Sequence, residues 1–171
     1  MMSKIGSINF QIPGKDEITR YEKIHNICFK SAEVGSKMVA NEIAQSIKNC
    51  SKSKFVLGLA TGSSPIGVYR ELVRLHKDEG LSFKNVISFN LDEYFPISKA
   101  NEQSYFSFMH HHLFSHIDIL KSNINIPEGK LSEEDILDYC DEYEKKIDSL
   151  GGVDFQLLGI GRTAHIGFNE P

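Results

Sequence analysis

The sequence of 171 residues predicts an α/β domain in which a Rossmann-like parallel sheet carries helices on both faces. Three short apolar runs, at 55–60, 86–91 and 153–158, contain β-branched or aromatic residues and are typical of strands buried on both faces. Stretches with the apolar spacing of amphipathic helices precede and separate these runs. Strands that alternate with helices form right-handed βαβ units, so the sheet is predicted to be parallel.

The helices are predicted from apolar residues that recur every three to five positions and from residues typical of helix ends. Pro65 suits the first turn of a helix, because its missing N–H would have no partner there. Ser132 is a suitable N-cap for the last helix, and the pair Gly151-Gly152 is expected to end it. The predicted helices span 33–47, 65 to at least 75, 104–114 and 133–150.

Composition favours one globular domain over residues 1–171 that binds a small molecule. With 40% hydrophobic and 25% charged residues, the chain resembles an ordinary soluble domain. No apolar run approaches the ~20 residues of a membrane helix and no leader is recognisable, so we expect a cytoplasmic protein without a membrane partner. A formal net charge of −4 and a pI near 6.0 argue against nucleic-acid binding. Cys28, Cys50 and Cys140 lie far apart, which predicts neither a disulfide framework nor a zinc ribbon.

Polar residues follow each of the three predicted strands. They lie at 61–64, at Asp92-Glu93 and at 162–165. Ligands of open parallel sheets bind beyond the carboxyl ends of the strands, so we expect these three segments to converge on one site.

The loop after the first strand has the composition of an anion-binding turn. Glycine and serine N–H groups at a helix N-terminus can face a phosphate, and the loop consists of Thr61, Gly62, Ser63 and Ser64. This loop lacks the lysine of a nucleotide P-loop, and 159–161 lacks the third glycine of a dinucleotide fingerprint, which excludes both nucleotide hypotheses. A simple helix-capping turn remains the alternative for this loop.

Candidate proton-transfer residues follow the second and third strands. Asp92 or Glu93 at a strand end would be rigidly supported in a partly dry cleft, as a general base requires, although a solvated acidic turn is the alternative. His165 and Glu170 are close enough along the chain for a loop to fold the carboxylate back onto the imidazole, which would fix the ring tautomer. A purely structural histidine is the alternative there.

A metal centre is not predicted. His110, His111 and His112 are adjacent on a predicted helix and therefore point in different directions, so they cannot easily share one ion. The zinc deaminase signature, a histidine and glutamate paired with PCxxC, is also absent from the sequence.

Three stretches together resemble the glucosamine-6-phosphate deaminase family in their order, their spacing and their amino-acid sequence. They are LGLATGSSPIGVYRELV, FNLDEYFPISKANEQSYFSFMHHHLF and GGVDFQLLGIGRTAHIGFNEP, and they span Leu57 to Pro171. The resemblance implies conversion of glucosamine 6-phosphate to fructose 6-phosphate with release of ammonia, without a metal or organic cofactor. It also implies a small-molecule sugar-phosphate partner and a homo-oligomer.

The resemblance assigns a role to each candidate site residue. Asp92 would be the base that moves a proton between C2 and C1, His165 would assist ring opening, and Glu170 would support the histidine. The sugar phosphate would be held by Thr61, Gly62, Ser63, Ser64 and Gly161.

Two features depart from the family pattern. Thr163 stands where the family usually has an acidic residue, two positions before the histidine. The family pattern also continues beyond Pro171 with further strands, helices and basic phosphate ligands, so we expect an incomplete domain with little activity of its own. Two alternatives remain open, namely a sugar-phosphate lactonase of similar fold and a non-catalytic sugar-phosphate sensor.

Overall fold

The fold is built on a four-stranded parallel sheet, seen in a computed structural model that describes residues 26–169. The strand order is β3-β2-β1-β4, and every neighbouring pair is parallel. The strands are β1 (Phe55–Leu59), β2 (Val86–Asn90), β3 (Ile124–Asn125) and β4 (Phe155–Gln156). The predicted parallel α/β architecture is therefore confirmed.

Strand β1 lies at the centre of the sheet. All five of its residues are buried, which explains why it reads as a continuous apolar run without alternation. It pairs with β2 from Phe55↔Val86 to Leu59↔Asn90 and with β4 at two positions. An added Cβ at Gly58 would overlap the end of the Gln156 side chain on the neighbouring strand, which would have to move.

In the part of the chain that the structure describes, four α-helices pack around the sheet: α1 (Ala32–Lys48), α2 (Ile66–Glu79), α3 (Tyr105–His112) and α4 (Ile136–Ser149). Side chains cap two of them at the N-terminus. The Ser31 hydroxyl accepts a hydrogen bond from the N–H of Val34, and the Ser104 hydroxyl accepts one from the N–H of Ser107. Helix α2 ends at Gly80, whose φ of 72° is the left-handed conformation typical of a helix C-terminus.

The helices cover both faces of the sheet, as predicted. The main core joins one face of the sheet to α1, α2 and α3, and it includes Leu57, Leu72 and Met109. Helix α4 covers the opposite face, where the rings of Phe89 and Tyr143 meet edge to face at 5.4 Å. Among residues 26–169, no helix is long and apolar enough to cross a membrane.

Several predicted boundaries were wrong. The predicted strand 153–158 pairs only at Phe155–Gln156, and β3 was not predicted, because two residues are too short to produce a pattern. The predicted last helix begins as a 3-10 turn at Glu133–Asp135 and becomes α-helical only at Ile136. Ser132 occupies the N-cap position of this 3-10 turn, as predicted, but its hydroxyl donates to the carboxylate of Asp135 and accepts no bond from a backbone N–H of the turn.

Candidate active site

A cavity of about 290 Å³ opens beyond the carboxyl ends of β1, β2 and β4. The predicted site residues that line it are Thr61, Gly62, Ser63, Ser64, Asp92, Gly161 and His165. The three loops therefore converge as expected for an open parallel sheet. Glu170, the remaining predicted site residue, lies outside the described residues.

The loop after β1 leads directly into the N-terminus of α2. Gly62 has a φ of 116°, a conformation that side-chain-bearing residues rarely adopt. An added Cβ at this position would meet no atom within 4 Å, so glycine is favoured here by its backbone conformation and not by lack of space. No side-chain hydrogen bond caps α2, whose N-cap is Pro65. The hydroxyl of Tyr69 donates to the carbonyl of Ala60 and so fastens α2 to the end of β1. The loop thus presents the positive end of a helix dipole to the cavity, as anion sites do.

Asp92 follows β2 and is half-buried at the cavity wall. Burial raises the pKa of its carboxyl group above the ordinary value of an aspartate, and the nearby charge of Glu93 raises it further. A raised pKa makes the carboxylate a better proton acceptor than an exposed aspartate. Asp92 is therefore a candidate general base.

Glu93 has a structural role instead. Its carboxylate accepts hydrogen bonds from the backbone N–H groups of Tyr105 at 2.8 Å and Phe106 at 2.9 Å, at the start of α3. It also accepts one from the N–H of Tyr94 at 3.0 Å. These bonds hold Glu93 as an N-terminal helix cap, so of the two adjacent carboxylates it is Asp92 that lines the cavity.

His165 is held by a tight loop after β4. The N–H of Gly161 donates to the carbonyl of His165 at 2.8 Å, and the N–H of Ala164 donates to the carbonyl of Gly161 at 3.0 Å. The imidazole lies against the backbone of Gly161, where an added Cβ would overlap the ring. The Thr163 hydroxyl lies 2.6 Å from Nδ1 of the same ring. The imidazole therefore contacts both the Gly161 backbone and the Thr163 hydroxyl.

Three aromatic side chains form a wall of the cavity that the sequence analysis did not identify. The ring of Tyr94 lies 4.8 Å from that of Tyr105 and 5.2 Å from that of Phe168. Burial raises the pKa of the Tyr105 phenol, and a hydrogen bond with the Tyr94 side chain raises it further. The Tyr105 hydroxyl also interacts with the side chain of Thr61. Tyr94 and Tyr105 both lie in the FNLDEYFPISKANEQSYF stretch that resembles the family, and this stretch is the sequence feature from which they could have been identified.

The segment that carries Phe168 is brought close to Asp92 by Gly167. Gly167 has a φ of 61°, and an added Cβ would lie 3.2 Å from Oδ2 of Asp92 and 3.1 Å from Leu91. A glycine permits this approach of the backbone. Loop residues after His165 consequently cover one side of the candidate base.

The basic side chains near the loop at 61–64 lie in a neighbouring cleft and not inside the cavity. Among the described residues that line the cavity there is no lysine or arginine. A neighbouring cleft of about 480 Å³ shares Ser63 and Ser64 with the cavity and is also lined by Lys37 and Arg70. Lys37 is paired with Glu33 at 2.7 Å. In residues 26–169, no three histidine, cysteine, aspartate or glutamate side chains form a group able to hold a metal ion.

Comparisons with known proteins show the family of this chain. Residues 30–167 match the family model described as glucosamine-6-phosphate isomerases/6-phosphogluconolactonase. The chain belongs to this family. It is 54% identical over 142 residues to the glucosamine-6-phosphate deaminase of Borrelia garinii subsp. bavariensis, a match that covers 80% of this chain and 51% of that relative.

Solved structures of the family share the fold. A monomeric glucosamine-6-phosphate deaminase is 46% identical, with a TM-score of 0.78 over 84% of this chain and 58% of that one. A 6-phosphogluconolactonase from Thermotoga maritima is 23% identical, with a TM-score of 0.65 over 78% of this chain and 59% of that one, which shows the fold alone. The chain spans about half the length of the deaminases that it matches.

Proposed function

We propose that this family member forms the catalytic cavity of an enzyme that converts glucosamine 6-phosphate to fructose 6-phosphate and ammonia. The observation that carries the proposal is the half-buried Asp92, whose pKa is raised, in one cavity with His165 and the open N-terminus of α2. Relatives near 50% identity are named as deaminases, whereas the lactonase structure is 23% identical. The deaminase hypothesis is therefore better supported than the lactonase hypothesis.

The phosphate group of the substrate would bind at the loop after β1. Backbone N–H groups at the start of α2 and the hydroxyls of Thr61, Ser63 and Ser64 are the donors available there. Binding the phosphate at this end would direct the sugar toward Asp92 and His165, which line the same cavity.

Ring opening would be the first chemical step, and His165 is suited to it. The C1–O5 bond breaks as C1=O1 forms, so the hydroxyl at C1 loses a proton and O5 gains one. An imidazole can take the first proton and deliver it to O5. The result is an open-chain aldehyde, which makes the hydrogen on C2 acidic.

Asp92 would then move a proton from C2 to C1. Removing the C2 proton while O1 takes up a proton gives an enolamine, and returning the Asp92 proton to C1 while the nitrogen releases one gives an imine at C2, so the two protons taken up equal the two released. Water adds to the imine, and ammonia leaves to produce fructose 6-phosphate. The rings of Tyr94, Tyr105 and Phe168 line the same cavity, and the burial of Asp92 raises the pKa of its carboxyl group, which makes the carboxylate a stronger proton acceptor.

The experiment that tests this proposal measures three activities of the complete protein in parallel. We expect ammonia and fructose 6-phosphate to form in equal amounts from glucosamine 6-phosphate, with negligible hydrolysis of 6-phosphogluconolactone. Glucosamine without phosphate should be a far poorer substrate, because it lacks the group that the loop binds. Lactone hydrolysis without ammonia would support the lactonase, and binding without turnover would support the sensor.

A further inference from the structure

The proton-transfer steps leave the aromatic wall of Tyr94, Tyr105 and Phe168 without a role. All three side chains line the cavity, and their ring centroids lie 4.8, 5.2 and 5.8 Å apart, so the rings pack as one cluster. Tyr94 and Phe168 nevertheless remain 46% and 49% exposed. Large apolar side chains that stay half-exposed inside a cavity are typical of a surface that binds a ligand.

The aromatic wall stands beside the candidate base. The backbone N–H of Tyr105 donates to the carboxylate of Glu93 at 2.8 Å, next to Asp92 in the chain. Phe168 follows Gly167, where an added Cβ would lie 3.2 Å from Oδ2 of Asp92. The remaining ring of the wall comes two residues after Asp92. A ligand that reaches the carboxylate of Asp92 therefore lies beside the aromatic wall.

The loop at 61–64 lines the same cavity and offers N–H groups at the start of α2 to a phosphate. A hexose phosphate that is anchored there and reaches Asp92 with its C2 atom has to place its sugar ring along the wall. The faces of a pyranose ring carry C–H bonds, whereas most of its hydroxyls lie around the edge. C–H hydrogens are slightly positive and the face of an aromatic ring is negative, so the two surfaces attract each other when they stack.

We propose that the aromatic wall is the subsite that binds the C–H face of a closed pyranose ring in a hexose 6-phosphate. The identity of the sugar rests on the proposed function, and the subsite adds that the substrate binds in its ring form. Only a closed ring presents a rigid apolar face, so the wall favours it over an open-chain sugar phosphate. The rings take no part in proton transfer and therefore contribute to binding and not to the chemical step.

An unreactive ligand, 1,5-anhydroglucitol 6-phosphate, tests the proposal without turnover, because it lacks the hydroxyl at C1 and its ring cannot open. We expect its ring C–H protons to move upfield in NMR spectra when it binds the complete protein, since an aromatic face shields protons that stack on it. Glucitol 6-phosphate carries the same phosphate on an open chain and should bind more weakly, with smaller shifts. A closed-ring ligand that does not bind, or that binds without upfield shifts, would overturn the proposal.

Substitutions in the wall separate contact with the sugar from contact with the phosphate. Phe168→Leu keeps an apolar side chain and removes the aromatic face, and Tyr94→Leu repeats the test on a second ring. Each should raise the Kd of 1,5-anhydroglucitol 6-phosphate by about three- to tenfold, the effect of one aromatic contact, and leave the Kd of inorganic phosphate nearly unchanged. An equal loss of phosphate binding would contradict the subsite, because the rings would then act through the loop at 61–64.

Phe95→Leu is the matched control. Phe95 is 45% exposed, as the rings of the wall are, but it is not among the residues that line the cavity. We expect this variant to bind the closed-ring ligand as tightly as the wild-type protein does. A loss of affinity equal to that of Phe168→Leu would show that the wall has no special role.

The kinetic readout uses glucosamine 6-phosphate and the complete protein. Phe168→Leu should raise KM by a similar factor with little change in kcat, because the wall contributes equally to binding of the ground state and the transition state. A fall in kcat at unchanged KM would overturn the proposal and place the ring in the chemical step. If the wild-type protein released no ammonia but shifted the closed-ring ligand upfield, the proposed function would fail and the subsite would stand.

Discussion

At the residue scale, neighbouring carboxylates in one motif have different roles because of their surroundings. Asp92 faces the cavity and has a raised pKa, whereas Glu93 accepts three backbone hydrogen bonds. The residue pattern alone left Asp92 and Glu93 as alternatives, and only the family resemblance singled out Asp92. The distinction depends on contacts between Glu93 and α3, more than ten residues further along the chain, and no local pattern reports such contacts.

The raised pKa of Asp92 predicts that the ionised carboxylate destabilises the fold. Above its folded-state pKa the group is charged in a half-buried site, and this cost disappears as the pH falls toward the ordinary value of 3.8. Asp92→Asn should therefore increase the free energy of unfolding at pH 7, and the gain should shrink at about pH 4. Urea unfolding at both values measures this. A loss of stability at pH 7 would mean that the carboxylate has a favourable partner.

A substitution at Gly161 is expected to lower turnover by displacing the imidazole of His165. Gly161→Ala would push the His165 ring out of its position, because the new Cβ and the ring would occupy the same space. We expect kcat to fall by about 10²-fold, at the lower end of the range for general acid–base catalysis. Gly159→Ala is the matched control, because a Cβ there meets no atom within 4 Å. Equal kcat values in the two variants would show that turnover does not depend on the position of the His165 ring.

At the scale of elements, the two long buried strands were predicted correctly, whereas the two short strands were not. The runs at β1 and β2 are five residues long and almost wholly buried, so their composition alone identified them. The edge strands β3 and β4 contain two residues each and are defined only by pairing with their neighbours. The aromatic wall was missed for a similar reason, because Tyr94 in the loop after β2, Tyr105 at the start of α3 and Phe168 in the loop after β4 meet only in the folded chain.

Helix α3 gives the prediction that belongs to this scale. Removing its cap with Glu93→Ala leaves the N–H groups of Tyr105 and Phe106 without their acceptor, which should cost about 1–2 kcal/mol of stability. Because α3 carries Tyr105 into the cavity, turnover should also fall. Glu102→Ala, at an exposed position just before α3, is the control. Equal unfolding free energies for the two variants would contradict the capping role.

At the scale of the whole molecule, charge is distributed unevenly around the candidate site. The chain has a formal net charge of −4, and the described lining of the cavity contains Asp92 but no lysine or arginine. Phosphate would therefore depend on N–H and hydroxyl donors, without the charge-assisted bonds that arginine supplies.

This distribution predicts weak phosphate binding by the 171-residue chain. We expect inorganic phosphate to bind with a Kd in the millimolar range, about −4 kcal/mol, and to shift the amide resonances of Gly62, Ser63 and Ser64. An NMR titration measures both quantities, and Arg70→Gln should leave them nearly unchanged. Micromolar affinity, or shifts confined to Lys37 and Arg70 in the neighbouring cleft, would contradict this account.

The central claim, that Asp92 is the base of a glucosamine 6-phosphate deaminase, is tested most directly by comparing kcat for ammonia release in two variants of the complete protein. Asp92→Asn keeps the shape of the side chain and removes its basicity, while Asp138→Asn makes the same change at an exposed position on α4. Asp92→Asn should lower kcat by about 10²–10⁴ with little change in KM, and Asp138→Asn should leave both unchanged. A near-normal kcat in Asp92→Asn would show that another group moves the proton.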